Sequence, residues 1–244
     1  MDFKKRFWEI DFLRGTGVIM MLVSNSITDL NYFKVCSVNT FWQFFAHMTA
    51  TIFIFLVGVS LTLSYSRAKN YKTEKILIKY SKRGLRIFSW GIVITLITWV
   101  FLREDFVVFG ILHFIGVSII LAYPFIKHSF LNILLGIFFI SFGIYLRNLS
   151  FEFNQLVWLG FTPRHFHSVD HFPIFPWFGV VLIGLFFGNL FYPSYKRRFT
   201  LPDLSNFFFT RAFCFLGRHS LLIYLTHQPI IVLLLYIFGV ISFL

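Results

Sequence analysis

Charged residues are scarce in this sequence. Asp, Glu, Lys and Arg together make up 13% of it, where about 25% is usual for a soluble domain. Apolar residues make up 57%, and the mean hydropathy is +0.76. So few charges cannot cover a surface that faces water, so we expect lipid to be the solvent of this chain. The composition therefore argues against a soluble globular domain, and the 244 residues leave room for one membrane domain, residues 1–244.

Cysteine is equally rare, and familiar soluble-enzyme motifs are missing. Two cysteines, Cys36 and Cys214, are too few for a disulfide framework. The sequence contains no phosphate-binding glycine loop, no dinucleotide fingerprint, no serine-hydrolase elbow and no zinc-protease motif. The first apolar run contains Asp11, Arg14 and Asn25 and lacks a small-residue cleavage site, so we expect no cleavable signal peptide.

Long apolar runs are what the sequence does have. About 20 apolar residues in a helix cross a bilayer, and seven runs approach that length. They predict an all-α, polytopic transmembrane bundle of about seven helices. The runs are residues 9–30, 41–65, 84–102, 106–126, 129–147, 173–192 and 219–243.

Basic residues alternate along the chain between the apolar runs. The formal net charge is +12, but the basic residues fall in short connecting segments, as membrane topology requires, and not in a nucleic-acid patch. The N-terminus, residues 66–86, 127–128 and 194–218 are rich in Lys and Arg, and the intervening segments are poor in them. The pattern predicts the N-terminus inside, the C-terminus outside, and Cys36 and Cys214 on opposite sides of the membrane.

The longest outer segment, residues 148–172, is too long for a simple turn and too apolar for a loose linker. We expect it to fold back over the outer mouth of the bundle. It contains a histidine-rich stretch that could bind a metal, but the spacing matches no established metal motif, and a polar loop is the better interpretation. We therefore predict no metal site. The residues concerned are His165, His167, Asp170 and His171.

Ionisable residues inside a membrane span are costly unless they have a partner or a wet cavity. Asp11 and Arg14 are three residues apart, on one face of the first helix. They form either an ion pair that anchors the helix at the interface or part of a functional site. Asn25 lies about 16 Å further along the same helix at 1.5 Å per residue. With Ser24, Ser26, Thr28 and Asp29 around it, the helix is expected to line a polar interior.

Three histidines lie on three further predicted spans: His47, His113 and His227. Each alone is more often a packing residue with a hydrogen bond than a catalyst. Together they favour a shared polar cavity, and an imidazole can act as a general base near neutral pH. For His113, packing against a neighbouring helix and a catalytic role explain the sequence equally well.

Five blocks of the sequence resemble the catalytic domain of the heparan-alpha-glucosaminide N-acetyltransferase family, most closely its compact prokaryotic members. The blocks fall in order across almost the whole chain. They are RFWEIDFLRGTGVIMMLVSNSITDLNYF, FIFLVGVSLTLSYSR, FGILHFIGVSIILAYPF, SVDHFPIFPWFGVVLIG and LGRHSLLIYLTHQPI.

The resemblance implies a transmembrane acyltransferase with acetyl-CoA as co-substrate and no permanently bound cofactor. In this family and in related O-acyltransferases, a D-x-x-R-G element corresponds to Asp11, Arg14 and Gly15. Two histidines usual in such enzymes are replaced here by Asn25 and by Val35, which follows Tyr32, Phe33 and Lys34. The candidate site residues are then assigned three roles. The catalytic candidates are His113, His47, Asn25 and Asp11. The CoA-binding candidates are Arg14 and Gly15, and the substrate-binding candidates are Asp29, Asp170 and His227.

The leading hypothesis is therefore a multi-pass acyltransferase of the cell membrane. It would move an acetyl or acyl group from acyl-CoA to an amine or hydroxyl of an envelope sugar or lipid. Membrane lipid and this acceptor are the expected partners, nucleic acid is not, and a homodimer is left open. A small-solute transporter and a non-catalytic membrane protein are the alternatives.

Overall fold

The computed structural model describes residues 6–70 and 75–240, and this part of the chain is all-α with no strand. The all-α part of the predicted fold class is confirmed. The eight α-helices of the described residues are α1 Trp8–Tyr32, α2 Thr40–Asn70, α3 Ile76–Leu102, α4 Ile111–Leu121, α5 Phe130–Arg147, α6 Ile174–Phe191, α7 Phe208–Arg218 and α8 Ser220–Ile237.

Five of these helices are long and apolar enough to cross a membrane, and the chain is a membrane protein. A helix suits this role because its backbone hydrogen bonds are satisfied within the segment. On α3 the apolar side chains are turned outward: Trp99 is 58% exposed and Phe101 is 80% exposed. Such a surface is stable only against lipid. The five spans are residues 40–69, 76–102, 130–147, 174–191 and 220–237.

The prediction of seven spans is not confirmed. α1 has 25 residues but is not among these five apolar helices. The predicted run 106–126 is a helix only over Ile111–Leu121, followed by a short 3-10 turn. Eleven residues rise about 16 Å at 1.5 Å each, roughly half of a bilayer core.

The chain divides into two compact units, residues 1–53 with 201–244, and residues 54–200. In the first unit α1 packs against α7 and α8. The backbones of α1 and α7 touch, because a Cβ on Gly15 would collide with the carbonyl group of Phe213, and one on Gly217 with that of Asp11. The rings of Phe12 and Phe213 stack at 4.9 Å beside this crossing. Sequence patterning treated residues 194–218 as a basic connector, so α7 was not predicted.

In the second unit α3 packs against α4, and α5 packs against α6. The segment 148–172 folds back onto the chain just before α4, as expected. The backbone N–H groups of Val169 and Phe172 donate to the carbonyl oxygens of Asp105 at 3.0 Å and Phe109 at 2.9 Å. Its position over the mouth of a whole bundle stays a prediction, as do the single domain and the orientation of the termini. Some residues used in these predictions lie outside the described residues. They are Lys4, Lys5 and residues 71–74 of the orientation argument, and the end of the run 219–243.

The orientation can be tested with Ser150 and Lys79, which are both exposed. In a chain with Cys36→Ser and Cys214→Ala, we expect Ser150→Cys to react with a membrane-impermeant maleimide on intact cells. Lys79→Cys should react only after permeabilisation, because the basic residues 66–86, which include Lys79, are expected inside. If residue 79 reacts on intact cells and residue 150 does not, the predicted orientation is wrong.

Candidate functional site

Asp11 forms the centre of a charged cluster at the start of α1. Its side chain is 5% exposed and lies between two arginines. Oδ1 is 3.6 Å from Nη1 of Arg14, one turn along the same helix. Oδ2 accepts a hydrogen bond of 3.1 Å from Nε of Arg218, the last residue of α7. The cluster therefore combines an ion pair within α1, one of the two interpretations that the sequence left open, with a second pair that ties α1 to α7.

Arg218 was missed by sequence reasoning, although it lies in the LGRHS block that carries part of the family resemblance. Spacing alone pairs Asp11 with Arg14, since they share a helix face. It cannot pair residues that are 207 positions apart. Arg218 keeps half of its side-chain surface exposed, against 27% for Arg14. Of the two arginines, Arg218 is therefore the more accessible to a ligand.

Asn25 and His227 meet between α1 and α8. The Nδ2 atom of Asn25 is 2.6 Å from Nε2 of His227, and His227 is buried at 6% exposure. The other ring nitrogen, Nδ1, is 2.7 Å from the carbonyl oxygen of Tyr224. A carbonyl oxygen only accepts, so Nδ1 carries the proton and the neutral ring presents a lone pair at Nε2. The NH₂ group of Asn25 donates to that lone pair.

Asp29 and Gln228 form a second polar contact one turn further along α1. The amide Nε2 of Gln228 donates to Oδ1 of Asp29 at 2.6 Å. Oδ2 of Asp29 is buried and has no hydrogen-bond partner within residues 6–70 and 75–240. A buried carboxylate oxygen with spare accepting capacity favours a ligand that donates a hydrogen bond. Gln228 was not predicted as a site residue.

A cleft of about 610 Å³ opens beside α7. Its polar lining includes Arg211, Arg218 and Cys214. The Cys214 thiol lies 3.3 Å from the carbonyl oxygen of Trp8 and donates to it. Burial raises the pKa of this thiol, and the negative charge of Asp11 raises it further. Cys214 is therefore a packing residue with a protonated sulfur and not a nucleophile.

His113 and Asp170 belong to the second unit, where both satisfy the start of α4. Nδ1 of His113 accepts from the Gly110 N–H at 3.3 Å, and Oδ2 of Asp170 accepts from the Ile111 N–H at 3.0 Å. The first N–H groups of a helix have no partner within the helix, so these contacts are helix caps. The His113 ring is 5% exposed and packs between Phe88 and Phe109. These contacts are the ones that a packing role of His113 requires, and packing is one of the two roles that the sequence left open.

The remaining predicted histidines lie on α2 and in the segment 148–172. His47 is exposed on α2 and contacts the carbonyl oxygen of Gln43 at 2.8 Å. In the outer segment His171 is half-buried against the Val157 carbonyl, and burial lowers the pKa of its ring. His165 and His167 are exposed. Among the described residues no group of three or more His, Cys, Asp or Glu side chains could hold a metal ion.

The structure thus places six predicted site residues on α1 and α8 of the first unit: Asp11, Arg14, Gly15, Asn25, Asp29 and His227. Gly15 has a packing role there, and contact of any of the six with CoA or substrate stays a prediction. His113 and Asp170 lie in the second unit.

Comparison with known families decides the relationship. Residues 6–229 match the family described as heparan-alpha-glucosaminide N-acetyltransferase, catalytic. The chain belongs to this family. The resemblance predicted from the five sequence blocks is confirmed. No curated protein and no solved structure matches significantly.

Membership in the heparan-alpha-glucosaminide N-acetyltransferase family makes this chain a membrane acetyltransferase-like protein. The match begins before α1 and extends through His227 and Gln228 of α8. It therefore includes the Asp11 cluster, the Asn25–His227 contact and the Asp29–Gln228 contact. The unpredicted partners, Arg218 and Gln228, are also within the matched residues.

Removing the charge of Asp11 should destabilise the family fold at the α1–α7 crossing. Asp11→Asn keeps the side-chain shape but leaves Arg14 and Arg218 without their shared counter-charge. We expect a loss on the order of 1–3 kcal/mol of unfolding free energy, as for hydrogen bonds to charged groups, seen as a lower unfolding temperature in detergent. Arg218→Gln should cost less, because Arg218 is half exposed.

Glu104→Gln is the matched control for Asp11→Asn, since Glu104 is an exposed acid between α3 and α4. It should unfold at the wild-type temperature. An Asp11→Asn variant as stable as this control would mean that the buried cluster contributes nothing to the packing of α1 against α7.

Proposed function

We propose that the chain is an acyltransferase of the cell membrane that uses His227 as its general base. The observation that carries this proposal is the 2.6 Å contact between Asn25 and Nε2 of His227. A general base needs an unprotonated nitrogen in a fixed orientation. The Tyr224 carbonyl fixes the tautomer, and burial between α1 and α8 fixes the ring.

The reaction is a direct transfer from the thioester of acetyl-CoA. Nε2 of His227 takes the proton of an amine or hydroxyl as that group attacks the thioester carbonyl carbon. A new C–N or C–O bond forms, the C–S bond breaks, and the CoA sulfur leaves with the bonding electron pair. The imidazolium returns its proton to the sulfur, so that CoA thiol is released and the base is regenerated.

Asn25 has two uses in this scheme. In the resting state its NH₂ group occupies the lone pair of His227, which is where the acceptor hydroxyl or amine would dock. Once displaced, the same N–H groups can donate to the oxyanion of the tetrahedral intermediate. Removing one donor of this kind costs about 10²–10³ in rate in other acyl-transfer enzymes.

Charge along α1 supports the orientation of the two substrates. Arg14 and Arg218 lie at the end of α1 that is expected inside, where the phosphates of acetyl-CoA would be neutralised. Asp29 lies at the other end, and its free carboxylate oxygen suits a donor group of an envelope sugar or lipid acceptor. The two ends are separated by the Asn25–His227 contact.

His227 is preferred over the bases predicted from sequence. The accepting nitrogen of His113 is occupied by the Gly110 N–H, its ring stacks on Phe109, and Phe88 contacts it at nearly a right angle. His47 is exposed on the surface of α2.

Acetyl-CoA should stabilise the purified protein. At 100 times its dissociation constant a ligand adds about 2.7 kcal/mol of stability, so the unfolding temperature in detergent should rise with acetyl-CoA and with CoA. Arg14→Gln should reduce this rise. Dephospho-CoA, which lacks one phosphate, is the matched ligand control and should give a smaller rise. An unchanged unfolding temperature with every CoA species contradicts the donor assignment.

His227→Gln should remove acyl transfer while His113→Gln retains it. The measurement is transfer of radiolabelled acetyl from acetyl-CoA to membranes of cells that produce each variant. Loss of a general base should cost about 10²–10⁴ in rate. His47→Gln is the surface control and should transfer at the wild-type rate.

Each variant is compared at equal amounts of protein with an unchanged unfolding temperature. Wild-type transfer by His227→Gln together with loss in His113→Gln would move the base to α4. Wild-type transfer by all three variants would exclude a histidine base among these positions.

A further inference from the structure

An exposed aromatic surface covers one side of α7. Its members are the side chains of Phe208, Phe209 and Phe215, which are 77%, 65% and 60% exposed. Phe207, directly before the helix, is 62% exposed. We call these four residues the α7 aromatic face. Exposed apolar side chains grouped in this way mark a surface that binds a protein or a membrane.

The opposite side of α7 is fixed. Thr210, Cys214 and Gly217 are its buried residues, and Gly217 touches the backbone of α1 at Asp11. The Arg218–Asp11 hydrogen bond holds the end of the helix. Because α7 cannot rotate without breaking these contacts, the aromatic face is held outward.

Basic residues border this face. Arg211 lies three residues after Phe208 and four before Phe215, which places it one turn from each on the same side of the helix. Arg211 and Arg218 are both exposed and line the cleft beside α7. The charge of Arg218 is shared with Asp11, so Arg211 is the basic residue that gives this border its positive charge.

We propose that α7 lies in the lipid–water interface and binds anionic phospholipid. The four phenylalanines enter the acyl-chain boundary, and Arg211 holds the phosphate of a headgroup at the cleft. Basic residues beside bulky apolar ones are the pattern of interfacial helices. The helix has 11 residues, about 16 Å, and cannot span a bilayer.

The position of α7 in the chain supports this assignment. α8 begins at Ser220, with only His219 between the two helices, and α8 is one of the five spans. A helix that joins a span without a loop must be at the membrane surface. This inference does not depend on the acyltransferase proposal, since no step of the reaction involves the aromatic face.

Depth in the membrane can be measured with spin labels on the full chain reconstituted in nanodiscs. In the background of Cys36→Ser and Cys214→Ala, the label is placed by Phe208→Cys or, as control, by Asp203→Cys in the exposed segment before α7. At residue 208 we expect collisions with oxygen, which is enriched in lipid, to exceed those with a water-soluble nickel complex. At residue 203 the order should be reversed.

Equal nickel accessibility at residues 208 and 203 would overturn the interfacial position. Low accessibility to both reagents at residue 208 would also overturn it, since that result indicates a protein partner on the aromatic face. Phe215→Cys gives a second reading of the same face. It keeps the measurement valid if Phe208→Cys does not fold.

The headgroup preference is tested by titrating short-chain phosphatidylglycerol onto the protein and counting bound lipid by native mass spectrometry. A basic residue near an anionic surface contributes about 1 kcal/mol, or roughly fivefold in affinity. Arg211→Gln should therefore weaken phosphatidylglycerol binding roughly fivefold and leave phosphatidylcholine binding unchanged. Arg147→Gln, an exposed arginine at the end of α5, is the matched control and should lose less. Equal losses in the two variants would refute the site.

Discussion

The polar contacts of the first unit depend on the ion pairs that the buried carboxylate of Asp11 forms. It is shared by Arg14 on its own helix and Arg218 on α7, at a crossing where the two backbones touch. This contact fixes the rotation of α1 about its axis. Asn25 lies fourteen residues from Asp11, close to four full turns at 3.6 residues each, and Asp29 lies one turn beyond it. The face that carries Asp11 therefore also turns Asn25 and Asp29 toward a neighbouring helix, and α8 supplies His227 and Gln228 to meet them.

The same cluster shows how charge is tolerated in a chain with so little of it. A single buried charge in an apolar surrounding is unstable, whereas a charge with partners and hydrogen bonds can persist. Asp11 has two cationic partners, and the polar side chains further along α1 are bonded to α8. Positions that face lipid carry apolar side chains instead, as Phe101 and the α7 aromatic face illustrate. Polar side chains that pair between helices and phenylalanine side chains on the surface are both consequences of lipid as the solvent.

Two histidines of the predicted spans have different surroundings. His113 has Gly110 and Gly116 three residues before and after it, and small residues permit the close approach of a helix or a ligand. In the structure a helix approaches, because Gly91 of α3 faces the His113 ring. The ring nitrogen then caps α4, where an unsatisfied N–H would be costly in an apolar interior. His227 is flanked by larger residues, yet its ring meets Asn25. Spacing within one segment indicates how closely a neighbour can approach, but not which neighbour approaches.

The sequence by itself determined the solvent, the helical class, most of the long spans and the family, because hydropathy and the ordered blocks are local properties. It also indicated Asp11, Arg14 and Asn25, since polar residues are rare enough in such a chain to be noticed. Tertiary structure decided the partners. Arg218 and Gln228 are about 200 residues from the groups they bind, and no periodicity connects them. Tertiary structure also decided the presence of α7, an 11-residue helix whose small buried residues pack against α1. Long-range packing selects among polar contacts that the sequence leaves equally possible, because each contact depends on the position of a second helix.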